Sequence, residues 1–442
     1  MIYSGKQLRA LIFPLMFEQF LNVLVGIVDT LMVSKAGEAA VSGVALTTNI
    51  NLLIIQVMAA LATGGAVVCS QYNGRKDKKD ATFAAAQLET VLLIFSIVAA
   101  FICGAFGHLL LPLIFGKVEE SVMHCAWIYM FVTAFSYPFL GIYNGGAAIF
   151  RSVGNSKVSM LFSILMNAIN IVLNAIFVAM GYGVLGVALA TFISRMICGI
   201  GMTVLVTRPY NPLQIKQIKS LRPDKKMIAR ILRIGIPNGI ENSMFQVGKL
   251  MVVSMITRFG TAAIAANSVS YSIIEFPNIP RMSMGLALIT VVGNCLGAGE
   301  VRQAKKYTKK LISLAYAGDW VMNLLLFLFA PQVVSVFSLS AEATGMAVEV
   351  LRWFSSIAIL IWPLSFTLPN ALRAAGDVKY TMLTGIISMW LFRVLCSYIL
   401  AVVCNLGILG VWFGMFIDWG VRSVCFVMRY FSGKWENKEV IS

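Results

Sequence analysis

Polar residues are sparse along this chain, and they punctuate apolar stretches of about 20 residues, a length that crosses a bilayer as a helix. Twelve such spans are predicted, over 11–33, 44–70, 84–107, 122–148, 158–180, 184–206, 231–257, 265–293, 307–330, 344–370, 379–403 and 407–430. Within the first, Pro14, Glu18, Asn22, Val25 and Asp29 recur at i, i+4, i+8, i+11 and i+15, which gathers the polar groups on one helical face. An ionised side chain at the centre of hydrocarbon costs about 3 kcal/mol or more, so this face is predicted to turn inward and to mark an ion or substrate path.

The pattern occurs twice. At an offset of 223 residues Pro14, Glu18, Met32, Gly37 and Ala39-Ala40 return as Pro237, Glu241, Met255, Gly260 and Ala262-Ala263. The register continues through Val68/Val291, Gly74/Gly297 and Ala81/Ala304. With a one-residue slip Arg151, Gly154, Lys157 and Met160 meet Arg373, Gly376, Lys379 and Met382 at 222, and GVLGV meets GILGV at 224. The chain therefore reads as a tandem duplication of a six-span unit.

Composition agrees with the pattern: of 442 residues 59% are hydrophobic and 12% charged, against about a quarter charged in soluble domains. The expected fold is an all-α polytopic membrane protein. A net charge of +16 would suit nucleic acid, but the basic residues lie in short connections between apolar runs, and no nucleic-acid partner is expected. Sorting connections alternately collects 26 of the 35 Lys and Arg on one face, against four on the other (Lys35, Lys117, Arg258, Arg352) and five within spans. The positive-inside rule then places both termini in the cytoplasm and makes the halves parallel repeats. The expected organisation is an N-lobe at 1–206, a cytoplasmic linker at 207–230 broken by Pro209, Pro212 and Pro223, a C-lobe at 231–430 and a cytoplasmic tail at 431–442. The first apolar run exceeds a signal-peptide h-region and has a repeat partner, so it is expected to be retained.

Enzymatic signatures are missing. No HExxH, GxSxG or GxxxxGK[ST] occurs, His108 and His124 lack metal-ligand spacing, and the eight cysteines form no CxxC pair and are expected to be buried free thiols. Neither an enzyme nor a cofactor is expected. Gly74, Gly154, Gly297 and Gly376 are expected at cytoplasmic turns, where positive φ is cheap for glycine. Pro138, Pro277, Pro280, Pro363 and Pro369 are expected to interrupt helices and free backbone carbonyls.

Four stretches carry a family resemblance: VDTLMVSKAGEAAVSGVAL, LATGGAVVCSQYNGRKDKKDA, FRSVGNSK and GIPNGIENSMFQVGKL. In order and spacing they resemble the multidrug and toxic compound extrusion (MATE) antiporters. The resemblance implies a twelve-helix, two-lobed exporter of small organic compounds in the cell membrane, driven by Na⁺ or H⁺ through alternating access and acting as a monomer among membrane lipids. It is closer to the bacterial DinF-like branch than to NorM-like members, since the tenth helix, IAILIWPLSFTLPN, lacks the acidic residue the latter carry. In DinF-like relatives an acidic residue of helix 1 holds the coupling ion with polar residues of helices 5 and 6, and the helix 1 proline bends. These map onto Asp29 and Pro14, with Asn170 and Asn174 on helix 5, Thr191 on helix 6 and Asn144 from helix 4. If the ion is Na⁺, its ligands would include Asp29, Asn170 and Asn174. Asn174 stands where the relatives usually have Asp, so the expected carboxylate pair is reduced to one.

A lone carboxylate among amide and hydroxyl oxygens suits a small hard cation, and it can equally take up a proton. The plainer alternative is that Asn167, Asn170 and Asn174, spaced i, i+3 and i+7, only hydrogen-bond helices together. Against it, the second half has Val252, Phe392 and Cys396 at Asp29, Asn170 and Asn174, so the cluster is no requirement of the fold. Glu18 and Glu241, by contrast, occupy equivalent places. With Asn22, Gln246 and Lys249 they are expected to line a substrate cleft suited to cationic aromatic cargo, or else to hold helices together. Arg195, Glu275, Arg281, Asp319, Arg393 and Asp418 read as inter-helix pairs or snorkelling groups. A flippase for lipid-linked cargo is the alternative function and would need a basic cleft. A channel or another twelve-helix transporter is a further alternative.

Overall fold

The computed structural model describes residues 2–34, 38–116, 118–209, 211–215, 221–436, 438 and 440–441, with the backbone alone at 27–31, 33–34 and 38. Lys35, Lys117, Lys216 and Lys219 lie outside the described residues, as does the side chain of Asp29.

Helices account for nearly all of it. The first half comprises α1 (Gly5–Ser34), α2 (Glu38–Gly74), α3 (Lys78–Phe115), α4 (Glu120–Ala134), α5 (Tyr137–Ser152), α6 (Ser156–Ala179) and α7 (Gly183–Thr207). The second half begins with α8 (Lys225–Ile256), α9 (Thr261–Gly297) and α10 (Val301–Ser335). Next, α11 (Ala341–Trp362) runs through a π-helical turn into α12 (Pro369–Ala374). Then α13 (Val378–Ile387) continues through π-turns and α14 (Cys396–Tyr398), and α15 (Gly407–Phe431) closes the series. Among the described residues, ten helical stretches are long and apolar enough to cross a membrane. The bent pair α4–α5 forms an eleventh, its 49° break falling at Phe135–Ser136 just ahead of Pro138. A proline lacks the N–H that continues a helix and restricts the residue before it, so the break has a local cause. α8 is as long, at 32 residues, but more charged, carrying Glu241 and Lys249, and is not among these stretches. Each expected span falls within one of these helices to within a residue or two, and most helices run past the expected ends.

The chain divides into two compact units, Ser4–Gly239 and Ile240–Ser442, the second also taking Met1–Tyr3. The division falls inside α8, just beyond Pro237, rather than in the polar connection before it. Part of that connection is itself packed: Gln87 donates to the Arg222 carbonyl (2.8 Å) and accepts from the Asp224 amide (2.8 Å), and Thr90 donates to the Leu221 carbonyl (2.9 Å). In the second unit Phe354, Trp412 and Trp419 anchor a core spread over α8 to α15. After α15, Trp435 is fully buried against Tyr430, and Glu436 pairs with Lys305 at 2.7 Å.

Two local expectations are corrected. Positive φ is found at Gly154 and Gly376 (both 84°), but at the other pair of turns it falls on Lys76 (63°) and Gly299 (76°), not on Gly74 or Gly297, which end their helices. Of the eight free cysteines four are buried, three are half-buried and Cys404 is exposed.

Gly64 of α2 shows why small residues recur in the first unit. A Cβ there would lie 2.6 Å from the Ile231 carbonyl oxygen and 2.8 Å from the Gly235 nitrogen, so the α2 and α8 backbones touch with no side chain between. Gly64→Val is expected to cost about 1–3 kcal/mol through overpacking, seen as a lowered melting temperature of the detergent-solubilised protein. An unchanged melting temperature would mean that the helices part freely at this point.

Candidate functional site

The polar face of α1 packs along α6, and the contacts climb both helices in step. At the lowest level Ser159 donates to Glu18 Oε2 at 2.9 Å, and Arg151, in the last turn of α5, stands 3.7 Å from Glu18 Oε1. One turn on, Asn22 Oδ1 accepts from Ser163 (3.2 Å) and Asn167 (3.4 Å). Seven residues further along each helix are position 29 of α1 and Asn170 and Asn174 of α6. There Asn174 Nδ2 donates to Asn170 Oδ1 at 3.0 Å, and Asn170 Nδ2 donates to Thr191 Oγ1 of α7 at 3.4 Å. Asn170 and Asn174 are both buried. The α6 stripe exists because Ser and Asn recur every three or four residues on a helix that is otherwise apolar, which leaves one face able to hydrogen-bond.

Of the residues expected at the ion site, Asn170, Asn174 and Thr191 therefore come together, and Asp29 occupies the matching level of the α1 backbone. Asn144 does not join their hydrogen-bond chain through any described bond: its Nδ2 donates to the Leu140 carbonyl of its own helix at 2.9 Å. Among the described residues no three or more His, Cys, Asp or Glu form a metal-binding group.

In the second unit the equivalent carboxylate is held more tightly. Arg373 Nη2 lies 2.9 and 2.8 Å from the two oxygens of Glu241, and its Nη1 donates to Asn370 Oδ1 at 3.0 Å. Where the first unit has Ser163 the second has Gly385, and a Cβ there would sit 2.7 Å from Glu241 Oε1, so glycine makes room for the pair. Both acidic residues are thus compensated by the repeat-equivalent arginine of their own unit. The duplication already aligned Arg151 with Arg373, and pairing each with its aligned glutamate was the signal that the sequence reading passed over. Gln246 and Lys249 are half-buried, with the Lys249 ammonium 4.9 Å from the Tyr271 ring centre.

Of the remaining intramembrane charges of this unit, Arg281, Asp319, Arg393 and Asp418 form pairs between helical segments. Arg281 lies 2.8 Å from Asp319 and 4.1 Å from the centre of the Trp362 ring. Asp418 takes Arg422 at 2.8 Å and Arg393 at 3.1 Å, with a short hydrogen bond from Ser388. Arg393 and Arg422 both lie over Phe245, at 4.8 and 5.5 Å. In the first unit Arg195 donates to Ser136 at 2.9 Å. Glu275 is exposed.

A profile of the MatE family matches this chain twice, over residues 14–176 and 237–399, copies set 223 residues apart like the internal repeat. Over 99% of its length the chain is 27% identical to a Thermotoga maritima protein named probable multidrug resistance protein NorM, covering 94% of that relative. It is 24% identical to the Bacillus subtilis probable multidrug resistance protein YoeA, over 98% of this chain and 95% of the other. Its fold matches a solved outward-facing multidrug resistance MATE family transporter with a TM-score of 0.91 at 22% identity, over 98% of this chain and 97% of that one. A Pyrococcus furiosus transporter of the MOP superfamily, described as having a binding pocket of reverse polarity, matches with the same score, identity and coverage.

Removing one member of a buried ion pair leaves an uncompensated charge, at about 3–5 kcal/mol, whereas removing both costs far less. Arg373→Gln should therefore lower the melting temperature sharply, and Glu241→Gln combined with it should restore most of the loss. Additive losses in the double variant would show that the two residues act separately.

Proposed function

Because the chain belongs to the MatE family, we propose that it is a secondary active exporter of small organic compounds, moved against their gradient by a cation entering through the first unit. The carrying observation is the ladder from Glu18 through Asn22 to Asn170, Asn174 and Thr191, which supplies hard oxygen donors at the level of Asp29. Its absence from the second unit fits an ion site better than helix glue, since both units need the latter. Asp29 would supply the charge, and the amide and hydroxyl oxygens would complete coordination of Na⁺ or orient a carboxyl carrying H⁺. The names of the relatives, multidrug resistance proteins, favour drug-like cargo. Glu18 and Glu241 would meet cationic cargo only by loosening their arginines, Arg151 and Arg373, and the looser pair is that of Glu18. Asn22 in the first unit, and Gln246 and Lys249 in the second, are further candidates to touch cargo. In the second unit Arg281 is held by Asp319, and Arg393 and Arg422 together by Asp418. By the bias of its basic connections we read both termini as cytoplasmic, with 1–206 and 231–430 as lobes, 207–230 as linker, and a monomer in the cell membrane as the transport unit.

Two variants test the site together. Asp29→Asn should abolish gradient-driven efflux of a cationic dye from proteoliposomes while leaving the melting temperature unchanged. Asn174→Asp places a second carboxyl in a water-poor site where two cannot easily both ionise, so the pair should share a proton near neutrality. Initial efflux rates from about pH 5.5 to 8.5 should then depend on pH more steeply than in the parent, and adding Asp29→Asn should remove the difference. Superimposable profiles of parent and Asn174→Asp would mean that residue 174 does not share a site with Asp29.

A further inference from the structure

One wall of α11 carries charge that the protein itself leaves unanswered. Gly345, Glu349, Arg352, Trp353 and Ser356 are exposed along it, and with Thr344, Val348 and Phe327 of α10 they line an open groove of about 540 Å³. That volume lies within the roughly 300–1,000 Å³ of ordinary small-ligand sites. Glu349 and Arg352 are one turn apart, yet neither forms an ion pair or a side-chain hydrogen bond among the described residues. Arg352 only rests its guanidinium over the Phe327 ring, 5.9 Å from its centre.

The depth of this wall follows from the length of its helix. With its continuation, α11 covers Ala341–Ala374, 34 residues. That is about 50 Å of helix, against a hydrocarbon core of about 30 Å, so about 10 Å project at each end. Glu349 then lies close to the hydrocarbon boundary and Arg352 about 7 Å beneath it, within reach of the headgroup layer for a snorkelling arginine. The depth is the same whichever way the chain is oriented. A cation, an anion and three large apolar side chains are therefore presented together where lipid headgroups meet acyl chains.

We propose that this groove is a binding site for one phospholipid with a zwitterionic aminoethanol headgroup. The lipid phosphate accepts from Arg352, its primary ammonium donates to Glu349, and the glycerol and upper acyl chains lie against Phe327, Val348 and Trp353. An anionic headgroup without an amine would satisfy Arg352 and be repelled by Glu349. A choline headgroup has no N–H to donate. The match of both charges in one molecule selects among these three.

The test is native mass spectrometry of the purified full chain released from micelles holding equal amounts of phosphatidylethanolamine, phosphatidylcholine and phosphatidylglycerol. The three variants below alter exposed side chains, and each is read as a difference from the parent, so lipid held elsewhere on the protein cancels. Phosphatidylethanolamine should be retained preferentially, by about fivefold, the upper range for an exposed ion pair. Glu349→Gln should turn that preference towards phosphatidylglycerol, and Arg352→Gln should lower retention of both, while Arg352→Lys keeps most of it. Equal retention of the three lipids by the parent would overturn the proposal, as would an ethanolamine-to-glycerol ratio that Glu349→Gln leaves unchanged.

Discussion

An intramembrane carboxylate is costly unless another group of the protein answers it, and two carboxylates of this chain are answered in the same way. Glu18 meets Arg151 and Ser159, and Glu241 meets Arg373. Each pair ties the first helix of its unit to the helix whose last turn carries the repeat-equivalent arginine. Because the arrangement recurs in both halves, it belongs to the architecture that the duplicated unit inherited.

What differs between the halves is what lies beyond that pair. In the first unit the next levels carry Asn22, Ser163, Asn167, Asn170, Asn174 and Thr191, neutral donors and acceptors bonded mostly to one another. In the second unit the same levels of the repeat hold Gly385, Phe392 and Cys396, and polarity moves to buried Arg–Asp pairs flanked by aromatic rings. Neutral amides and hydroxyls can exchange partners at small cost, whereas a buried ion pair resists separation. An ion that must enter and leave is better served by the first kind of surface, and a fixed scaffold by the second.

Much of this was legible beforehand. Spans follow from apolar run length, and the duplication follows from Pro14/Pro237 and Glu18/Glu241, because both signals are local and repeated. The grouping of Asn170, Asn174 and Thr191 came from helical spacing and family resemblance, and the hydrogen bonds among them agree with it. Asn144 did not follow, because one face of a helix does not say whether an amide reaches outwards or folds back on its own carbonyls, as it does on Leu140. The pairing of Glu18 with Arg151 is harder to read: the repeat aligns both residues with Glu241 and Arg373, but their separation along the chain is long, and the structure brings the end of α5 to the middle of α1. The turn glycines show the limit at finer scale, since Lys76 rather than Gly74 takes the left-handed conformation.

The central claim is that the neutral ladder of the first unit holds the coupling ion. It is tested most directly by loading proteoliposomes with a cationic dye and imposing Na⁺ and pH gradients separately, for the parent and for a variant carrying Asn170→Ala with Thr191→Val. In the parent, one of the two gradients should drive dye movement in the absence of ATP, and in the variant that same gradient should fail while passive dye leakage stays the same. Dye movement indifferent to both gradients in the parent, or equally well driven in the variant, would contradict the claim.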